Sequence, residues 1–404
     1  MHGSIRSLVI AALVAALALS CASRPYSPQP LDSVGFTSRA QTESEGGVRV
    51  SAAVPSPDEA EAIFGFPIYQ SRIQPVWLEV ENQVGFPLRF APVGVDRLYF
   101  SPLEVAYKHR GPFSKQGRSE MELRFHELAM PRNISPGETQ SGFVFTHASP
   151  GTKTFNVDLF GEGPEAYSFT FFVPVPGFEP DHSDVYFEEL YSAGELRHLD
   201  DDGLREALAA SACCTTDRPG GTQGAPINIV MIGEGEDVVS SLIRAGWYEI
   251  AGAMHDEDAS KAQYLYDRLP DAVFRLQRRK TGDRNQLNVW LSPLRVQGLP
   301  VWMAQISHYV GQTTELGRAL FDPRLDQDVD DARNYMLQIQ WYAQGLQKYA
   351  WQSTGHSVPM DELRAVFSGS YFFTDGYRAV MWLSGAPHSM LDSEYVDWDP
   401  PPGR

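Results

Sequence analysis

Two adjacent cysteines, Cys213 and Cys214, are the residues of this sequence with the clearest potential for chemistry. The chain has three cysteines in all, and a thiolate can act as a nucleophile, bind a metal or exchange with a disulfide. Adjacent Cα atoms lie about 3.8 Å apart, less than the usual separation of about 5.5 Å, so a bond between neighbours closes a strained ring. We expect this ring to form and to serve structure; two buried reduced thiols that pack as small hydrophobic side chains are the alternative. A zinc site would need further Cys or His ligands at suitable spacing.

A run of carboxylates before a long apolar-striped segment resembles the opening of a calcium loop. The loop pattern fails, because its sixth position is Asp331 rather than glycine and its twelfth is Leu337 rather than glutamate. We therefore expect these carboxylates to cap the following helix, with Arg333 as a local partner. The sequence contains no HExxH, G-x-S-x-G or P-loop motif, and it predicts no catalytic residue, metal or cofactor. The carboxylates are Asp326, Asp328, Asp330 and Asp331.

The amino-terminal residues predict where this chemistry takes place. An apolar run of twelve residues, Leu8 to Leu19, follows Arg6 and is shorter than the roughly 20 residues that span a bilayer, so residues 1–20 are typical of a signal peptide. The segment ends in Ala-Leu-Ser-Cys, which resembles a bacterial lipobox and implies lipidation of Cys21 and cleavage before it. An ordinary signal peptide cut near Ala22 is the alternative. Because Ala22 is not an aspartate, we expect an extracytoplasmic protein anchored in the outer membrane and facing the periplasm, where exposed thiols oxidise.

The composition of the chain limits the kinds of molecule that it can bind. The formal net charge of −18 excludes nucleic acid as a partner and disfavours broad contact with anionic lipid. The 43% hydrophobic and 12% aromatic content is enough for two or three packed domains.

The elements that position these residues are predicted by hydrophobic period and turn chemistry. Residues 21–47, rich in Ser, Pro and Gly, predict a flexible tether. Over residues 48–177, alternating strands such as VWLEVEN and FNVDLF, separated by Gly-Pro turns, indicate an immunoglobulin-like β-sandwich. Residues 178–224 read as a connector with a helix and the Cys-Cys turn.

Residues 225–385 mix strands and helices and predict a compact α+β layered domain, followed by an acidic, Pro-rich tail at 386–404. Its first strand is PINIVMIG, and a hairpin turns at Gln297 and Gly298. Helices are expected over EDVVSSLIRAGW, over Ser260 to Leu276 and over Asp328 to Trp351. The fold class is therefore α+β and multidomain, with the sandwich first.

Many short motifs in this second half occur in one order: CCTTD, PINIVMIG, AGW, YLYDRLPD, SPLR, GLPVWMAQISHYVG, DVDDAR and FFTDGYRAV. In that order they resemble the LssY C-terminal-like domain of bacterial membrane proteins. Arg268 and Asp271 match the R-x-x-D of that family, although a surface helix pair is the interpretation that we favour. In the basic cluster of the family's first hairpin strand, Arg284 remains while a histidine and an arginine are replaced. His308 stands where relatives often carry an arginine.

Two classes of function remain open. The first is a noncatalytic envelope lipoprotein that binds a partner protein or envelope polymer, with membrane contact through Cys21. The second is a hydrolase or lipid-headgroup-processing module, which the resemblance implies because LssY-type domains accompany a membrane phosphatase domain. The lost basic positions favour the first class. If there is a site, Arg268, Asp271, Arg284 and His308 are its candidates, and they should converge on one pocket.

Overall fold

The computed structural model describes residues 23–149, 151–177, 185–250, 263–277, 283–311, 316, 323–366 and 369–403. They form a mixed α+β protein with two compact units, one within Met1–Ala148 and Asn156–Phe169, the other within Ser149–Phe155 and Thr170–Arg404. No helix of the described residues is both long and apolar enough to cross a membrane.

Residues 41–174 form two four-stranded sheets. One has the order β1-β2-β3-β6, in which every neighbouring pair is antiparallel, and the other has the order β5-β4-β7-β8. The division between the two units passes through β7 and β8. The strands are β1 (Gln41–Glu45), β2 (Val48–Ala53), β3 (Ile73–Asn82), β4 (Leu88–Ala91), β5 (Asn133–Ile134), β6 (Thr139–His147), β7 (Thr152–Phe160) and β8 (Ala166–Pro174).

Three helices accompany these sheets, although the sequence pattern predicted strands alone. They are α1 (Pro57–Phe64), α2 (Pro102–His109) and α3 (Lys115–Glu127). Each begins after a serine whose hydroxyl accepts a hydrogen bond from a main-chain N–H three residues later, which satisfies a donor that the first turn leaves free. The serines are Ser56, Ser101 and Ser114.

The flexible tether predicted over residues 21–47 is wrong for the residues that the structure describes, 23–47. Phe36 is fully buried and Tyr26 is 8% exposed. Phe36 packs edge-on against Trp77, with ring centroids 5.9 Å apart, and Gln41–Glu45 forms β1 at the edge of a sheet. The segment is ordered because its two aromatic side chains complete the core of the first unit.

The second unit is built on a ten-stranded sheet with helices on both faces. Along the sheet, the order is β13-β14-β15-β16-β12-β21-β18-β22, with β9 beside β15 and β17 beside β16. The strands are β9 (Arg197–Leu199), β12 (Ile229–Ile232), β13 (Tyr248–Glu249), β14 (Ala272–Gln277), β15 (Arg284–Val296), β16 (Leu299–Val310), β17 (Arg324–Leu325), β18 (Leu346–Ser353), β21 (Tyr377–Leu383) and β22 (Glu394–Val396).

Alternate residues of these strands enter two different cores. Ile229 and Met231 of β12 pack with helices α5 (Gly235–Arg244) and α6 (Val329–Tyr342). Val230 and Ile232 pack with helix α4 (Asp201–Ala209). Two short antiparallel pairs complete the unit, β10 (Cys214–Thr216) with β11 (Gln223–Pro226), and β19 (Arg364–Ala365) with β20 (Tyr371–Phe372).

The predicted hairpin is confirmed. Strands β15 and β16 are antiparallel, and Gln297 and Gly298 both have positive φ, 51° and 89°. Two such residues make the tight turn whose twist matches that of the strands it joins.

Two of the predicted helices differ in the structure. Residues 263–277 contain no helix, because Ala272–Gln277 pairs with Arg284–Val289 as β14. The long helix ends at Tyr342 rather than Trp351, since Gln344 adopts a left-handed conformation with φ of 60°. The chain then continues as β18, which pairs with β21.

The segment after residue 385, read from sequence as an acidic tail, belongs to the second unit. Glu394–Val396 adds a parallel strand beside β18, and Trp398 packs edge-on against Trp382 with ring centroids 5.7 Å apart. Asp399 accepts hydrogen bonds from Arg205 (2.5 Å) and from the main-chain N–H of Ser353 (2.7 Å).

Candidate functional site

The cysteine pair lies at the start of β10, five residues after α4. The structure joins Cys213 and Cys214 by a disulfide, and both residues are buried. The carbonyl of Cys213 accepts a hydrogen bond of 2.8 Å from the N–H of Ile227, and Cys214 pairs with Pro226. The bonded pair therefore holds the backbone that enters β12.

Arg378 of β21 holds the backbone on both sides of this disulfide. Its side chain is fully buried, and its guanidinium donates to the carbonyls of Leu208 (2.7 Å), Ala212 (2.5 Å) and Ile227 (2.9 Å). Burial lowers the pKa of Arg378 to about 10, which keeps the side chain protonated near neutral pH. The Leu208 carbonyl lies at the negative end of the α4 dipole, where a cation is favoured. Sequence analysis missed this residue, and the signal for it is a single arginine in an apolar strand.

The space beside the disulfide is small. It is lined by both cysteines together with Thr354, His356 and Phe372, among others, and has a volume of about 10 Å³. This is room for about one water molecule. The recess as it stands therefore holds nothing the size of a metabolite against the sulfur atoms.

Arg268 and Asp271 form an ion pair between a half-buried guanidinium and a buried carboxylate, so their prediction as a surface helix pair is wrong. Asp271 is 3% exposed and accepts two hydrogen bonds from Arg268, each of 2.9 Å. It also accepts from the N–H of Leu291 at 2.6 Å. The intervening Pro270 and the left-handed Tyr266 and Asp267 (φ 54° and 60°) are incompatible with a helix here.

The remaining nitrogen atoms of Arg268 are also engaged. Nη1 donates to the Tyr191 hydroxyl at 2.9 Å, and Nη2 donates to the Leu291 carbonyl at 2.6 Å. Burial alone would lower the pKa of Arg268, but the hydrogen bonds and the charge of Asp271 raise it above its ordinary value. The pair thus fixes a loop against the middle of β15.

Arg284 and His308 lie at the far end of the same hairpin. Arg284 stands opposite Tyr309 in the register, and Asn285 stands opposite His308. Since successive side chains of a strand point to opposite faces, Arg284 and His308 face opposite sides of the sheet. The guanidinium of Arg284 lies over the Tyr309 ring at 5.2 Å.

His308 has a different partner. Its Nδ1 lies 3.2 Å from the carboxylate of Asp326, which joins the end of β16 to the segment that precedes α6.

The four predicted residues therefore do not converge on one pocket. Arg268 binds the Leu291 carbonyl, and Leu291 is seven residues from Arg284 along β15, which corresponds to about 23 Å at the usual rise of a strand. They form three separate contacts: Arg268 with Asp271, Arg284 with Tyr309, and His308 with Asp326.

The carboxylates before α6 cap that helix, as predicted. Asp328 accepts hydrogen bonds from the N–H groups of Asp330 and Asp331, and Arg333 pairs with Asp330 at 3.1 Å. Asp375, in the turn before β21, accepts a hydrogen bond from the N–H of Tyr377 and two more from Arg333 (2.6 and 2.9 Å). Because Arg333 is fully buried, this network ties α6 to the turn before β21.

The network around Arg333 changes the pKa of Asp330. Burial raises the pKa of Asp330, although the charge of Arg333 opposes the effect. Among the described residues, no group of three or more His, Cys, Asp or Glu side chains is arranged to hold a metal ion.

The predicted signal peptide and lipidation site Cys21 lie outside the described residues. So does the run His-Asp-Glu-Asp from His255 to Asp258, for which the sequence favours a solvated turn over a weak metal site. Comparison with protein-family models gave no match. No curated protein matches the chain either.

Proposed function

We propose that this chain is an extracytoplasmic, lipid-anchored cell-envelope protein, attached to the outer membrane through Cys21 and facing the periplasm. Its folded part would be a noncatalytic binding or structural module. The apolar run of twelve residues before a lipobox-like sequence supports the anchor. The disulfide between Cys213 and Cys214 suits an oxidising compartment outside the cytoplasm.

The noncatalytic assignment rests on one observation, the set of hydrogen bonds that Arg268 makes. Its three guanidinium nitrogen atoms all donate inside the protein, to Asp271, Tyr191 and the Leu291 carbonyl. A substrate anion would have to displace these bonds and leave the buried Asp271 without its partner, which is strongly unfavourable. The candidate best placed by sequence to bind an anion is therefore satisfied as a structural group.

The finer assignment of the two units is also part of this proposal. An immunoglobulin-like sandwich over residues 48–177 is supported by the two four-stranded sheets that residues 41–174 form. A relationship of residues 225–385 to the LssY C-terminal-like domain is supported by the motifs in order. On this proposal the partner is an envelope protein or polymer.

The test is an activity assay on the purified chain with a panel of phosphomonoesters and phosphodiesters, together with two arginine variants. We expect no turnover above the buffer rate. Arg268→Ala should lower the free energy of unfolding by about 3 kcal/mol, because it leaves a buried carboxylate unpaired. Arg284→Ala, the matched control, should change it by less than about 1 kcal/mol, because a partly exposed cation–π contact is worth little.

Turnover by the wild-type chain that Arg284→Ala abolishes, with the fold intact, would overturn the noncatalytic assignment. It would move the function to the second class, a headgroup-processing hydrolase. An Arg268→Ala variant as stable as the wild type would remove the observation on which the assignment rests.

A further inference from the structure

The first residues that the structure describes are held against one corner of the first unit, between α2 and α3. The N–H of Arg24 donates to the Pro112 carbonyl at 3.0 Å, and the N–H of Ser114 donates to the Arg24 carbonyl at 3.0 Å. The Arg24 guanidinium lies over the ring of Phe113 at 4.8 Å. Tyr26 meets the same ring edge-on at 5.5 Å.

This attachment limits the position of any group carried by Cys21. Ala22 and Ser23 are the two residues between Cys21 and Arg24, and three residue steps span at most about 11 Å. A lipid on Cys21 would therefore begin within about 11 Å of the Arg24 contact. The bilayer surface must lie close to this corner.

The helix that leads into the corner presents apolar side chains outward. Leu103 and Tyr107 of α2 are 59% and 56% exposed, and their i, i+4 spacing places them on one side of the helix. Arg110, three residues further on, has helical backbone angles and stacks over the Tyr107 ring at 3.5 Å. Leu103, Tyr107 and Arg110 form what we call the α2 face; Lys108 lies on another side of the helix, over the ring of Phe100 at 4.2 Å.

The stretch of sequence that contains the α2 face is opposite in net charge to the whole chain. Residues 97–118 contain five basic residues and one acidic residue, whereas the chain carries −18. The acidic residue, Glu104, is paired with Lys108 at 3.0 Å. Leucine, tyrosine and arginine suit the boundary between acyl chains and anionic headgroups, because each keeps an apolar part in lipid and any polar end in water.

We propose that the α2 face docks on the anionic lipid surface in which Cys21 is anchored. This rests on the proposed lipidation of Cys21. Each basic residue near an anionic surface adds only modest affinity, so the face alone binds weakly. The anchor holds it at high effective concentration, and weak contacts then fix the orientation of the first unit. The α2 face sets the orientation of the first unit on the membrane, and the lipid on Cys21 keeps the protein attached to the membrane.

The experiment measures how close a label on the first unit lies to the lipid, rather than whether the protein stays on the membrane. The lipidated chain carrying Gly111→Cys, labelled with an environment-sensitive fluorophore, is placed in vesicles of phosphatidylethanolamine and phosphatidylglycerol that contain nitroxide-headgroup lipid. Gly111 adjoins the corner, and no atom lies within 4 Å of an added Cβ. Gly85→Cys, at an equally open position of the first unit between β3 and β4, is the label control.

We expect strong quenching at position 111, and loss of that quenching in Leu103→Ser/Arg110→Ser without loss of sedimentation with the vesicles. The matched control Leu391→Ser/Arg218→Ser changes an exposed leucine and an exposed arginine of the second unit and should leave quenching intact. Equal quenching at 111 and 85 in sedimenting protein, or quenching unaffected by Leu103→Ser/Arg110→Ser, overturns the docking proposal.

A second arm separates this result from failure of the anchor. A wild-type chain that does not sediment with vesicles contradicts the proposed lipidation and leaves the face to be tested by binding alone. The Cys21→Ser chain is then titrated with phosphatidylglycerol vesicles at low salt. We expect weak binding that falls about tenfold in Leu103→Ser/Arg110→Ser and is lost on phosphatidylcholine. Binding equal for both chains, or for both lipids, overturns the proposal.

Discussion

Buried arginines of the second unit bind main-chain carbonyl groups and carboxylates of their own chain. Arg378 holds the carbonyls of Leu208, Ala212 and Ile227, and Arg333 binds Asp330 and Asp375. A guanidinium with its planar fork of donors suits this use, because it satisfies several acceptors with one side chain. These arginines therefore hold separate segments of the unit together, and the disulfide lies between the carbonyl groups that Arg378 binds.

At the residue scale, we predict that Cys213 and Cys214 are bonded in the purified protein. The intact mass of the chain from residue 22 onward, measured without reduction, should lie about 2 Da below the free-thiol mass, because forming the bond removes two hydrogen atoms. Cys213→Ser should lower the free energy of unfolding, since the turn held by Arg378 loses its second constraint.

Labelling of two thiols in denatured, unreduced protein would rule out the bond. If Cys213→Ser leaves stability unchanged but abolishes a measured function, the pair has a redox role instead.

At the element scale, segments that look dispensable in sequence complete the cores. Residues 23–47 contribute Tyr26, Phe36 and the edge strand β1 to the first unit. The last residues contribute β22 and Trp398 to the second. Both segments are rich in polar and turn-forming residues, yet buried aromatic rings and an added strand attach each of them to its unit.

We predict that Phe36→Ala lowers the free energy of unfolding of the first unit by about 3–5 kcal/mol, because it empties a fully buried aromatic site. Phe160→Ala is the matched control, since Phe160 is 48% exposed. Urea unfolding followed by tryptophan fluorescence measures both variants. If they unfold alike, residues 23–47 behave as the tether that composition suggests.

At the scale of the whole molecule, the chain combines a strongly acidic composition with a basic corner beside the point of anchorage. The net charge of −18 keeps the protein soluble and disfavours broad contact with anionic lipid. A local excess of basic side chains acts within about 10 Å at moderate ionic strength. Only the surface nearest the anchor can therefore make such a contact.

We predict that Cys21→Ser releases the protein from the membrane fraction and blocks lipoprotein-type processing. The reason is that multiple acyl chains supply the anchoring free energy, whereas the α2 face supplies only weak contacts. Fractionation and the mass of the mature amino terminus measure the two effects. Sedimentation of Cys21→Ser through a lipid elsewhere on the chain would show that the anchor is misassigned.

The sequence alone determined those features that depend on neighbouring residues. Strand period predicted β3, β7 and β12, the turn residues predicted the hairpin at Gln297 and Gly298, and acidic residues before α6 predicted its cap. Each of these follows from a local rule, since side-chain direction, turn angle and helix capping are set within a few residues. The candidate residues could also be listed this way, because their side-chain types are visible without a fold.

Where the local sequence pattern and long-range strand pairing favour different structures, the tertiary structure determined which one forms. Ala272–Gln277 has a helical sequence pattern but forms β14, because β15 offers it a partner strand. Leu346–Ser353 was also predicted as helix but forms β18, which pairs with β21. Whether Arg268, Arg284 and His308 share a site was equally undetermined, since it depends on their positions along and across the β15–β16 hairpin. Arg378 and Asp375 meet partners far away in the chain, up to 170 residues for Leu208. Contacts of that range leave no local pattern, because they arise only when separate elements pack together.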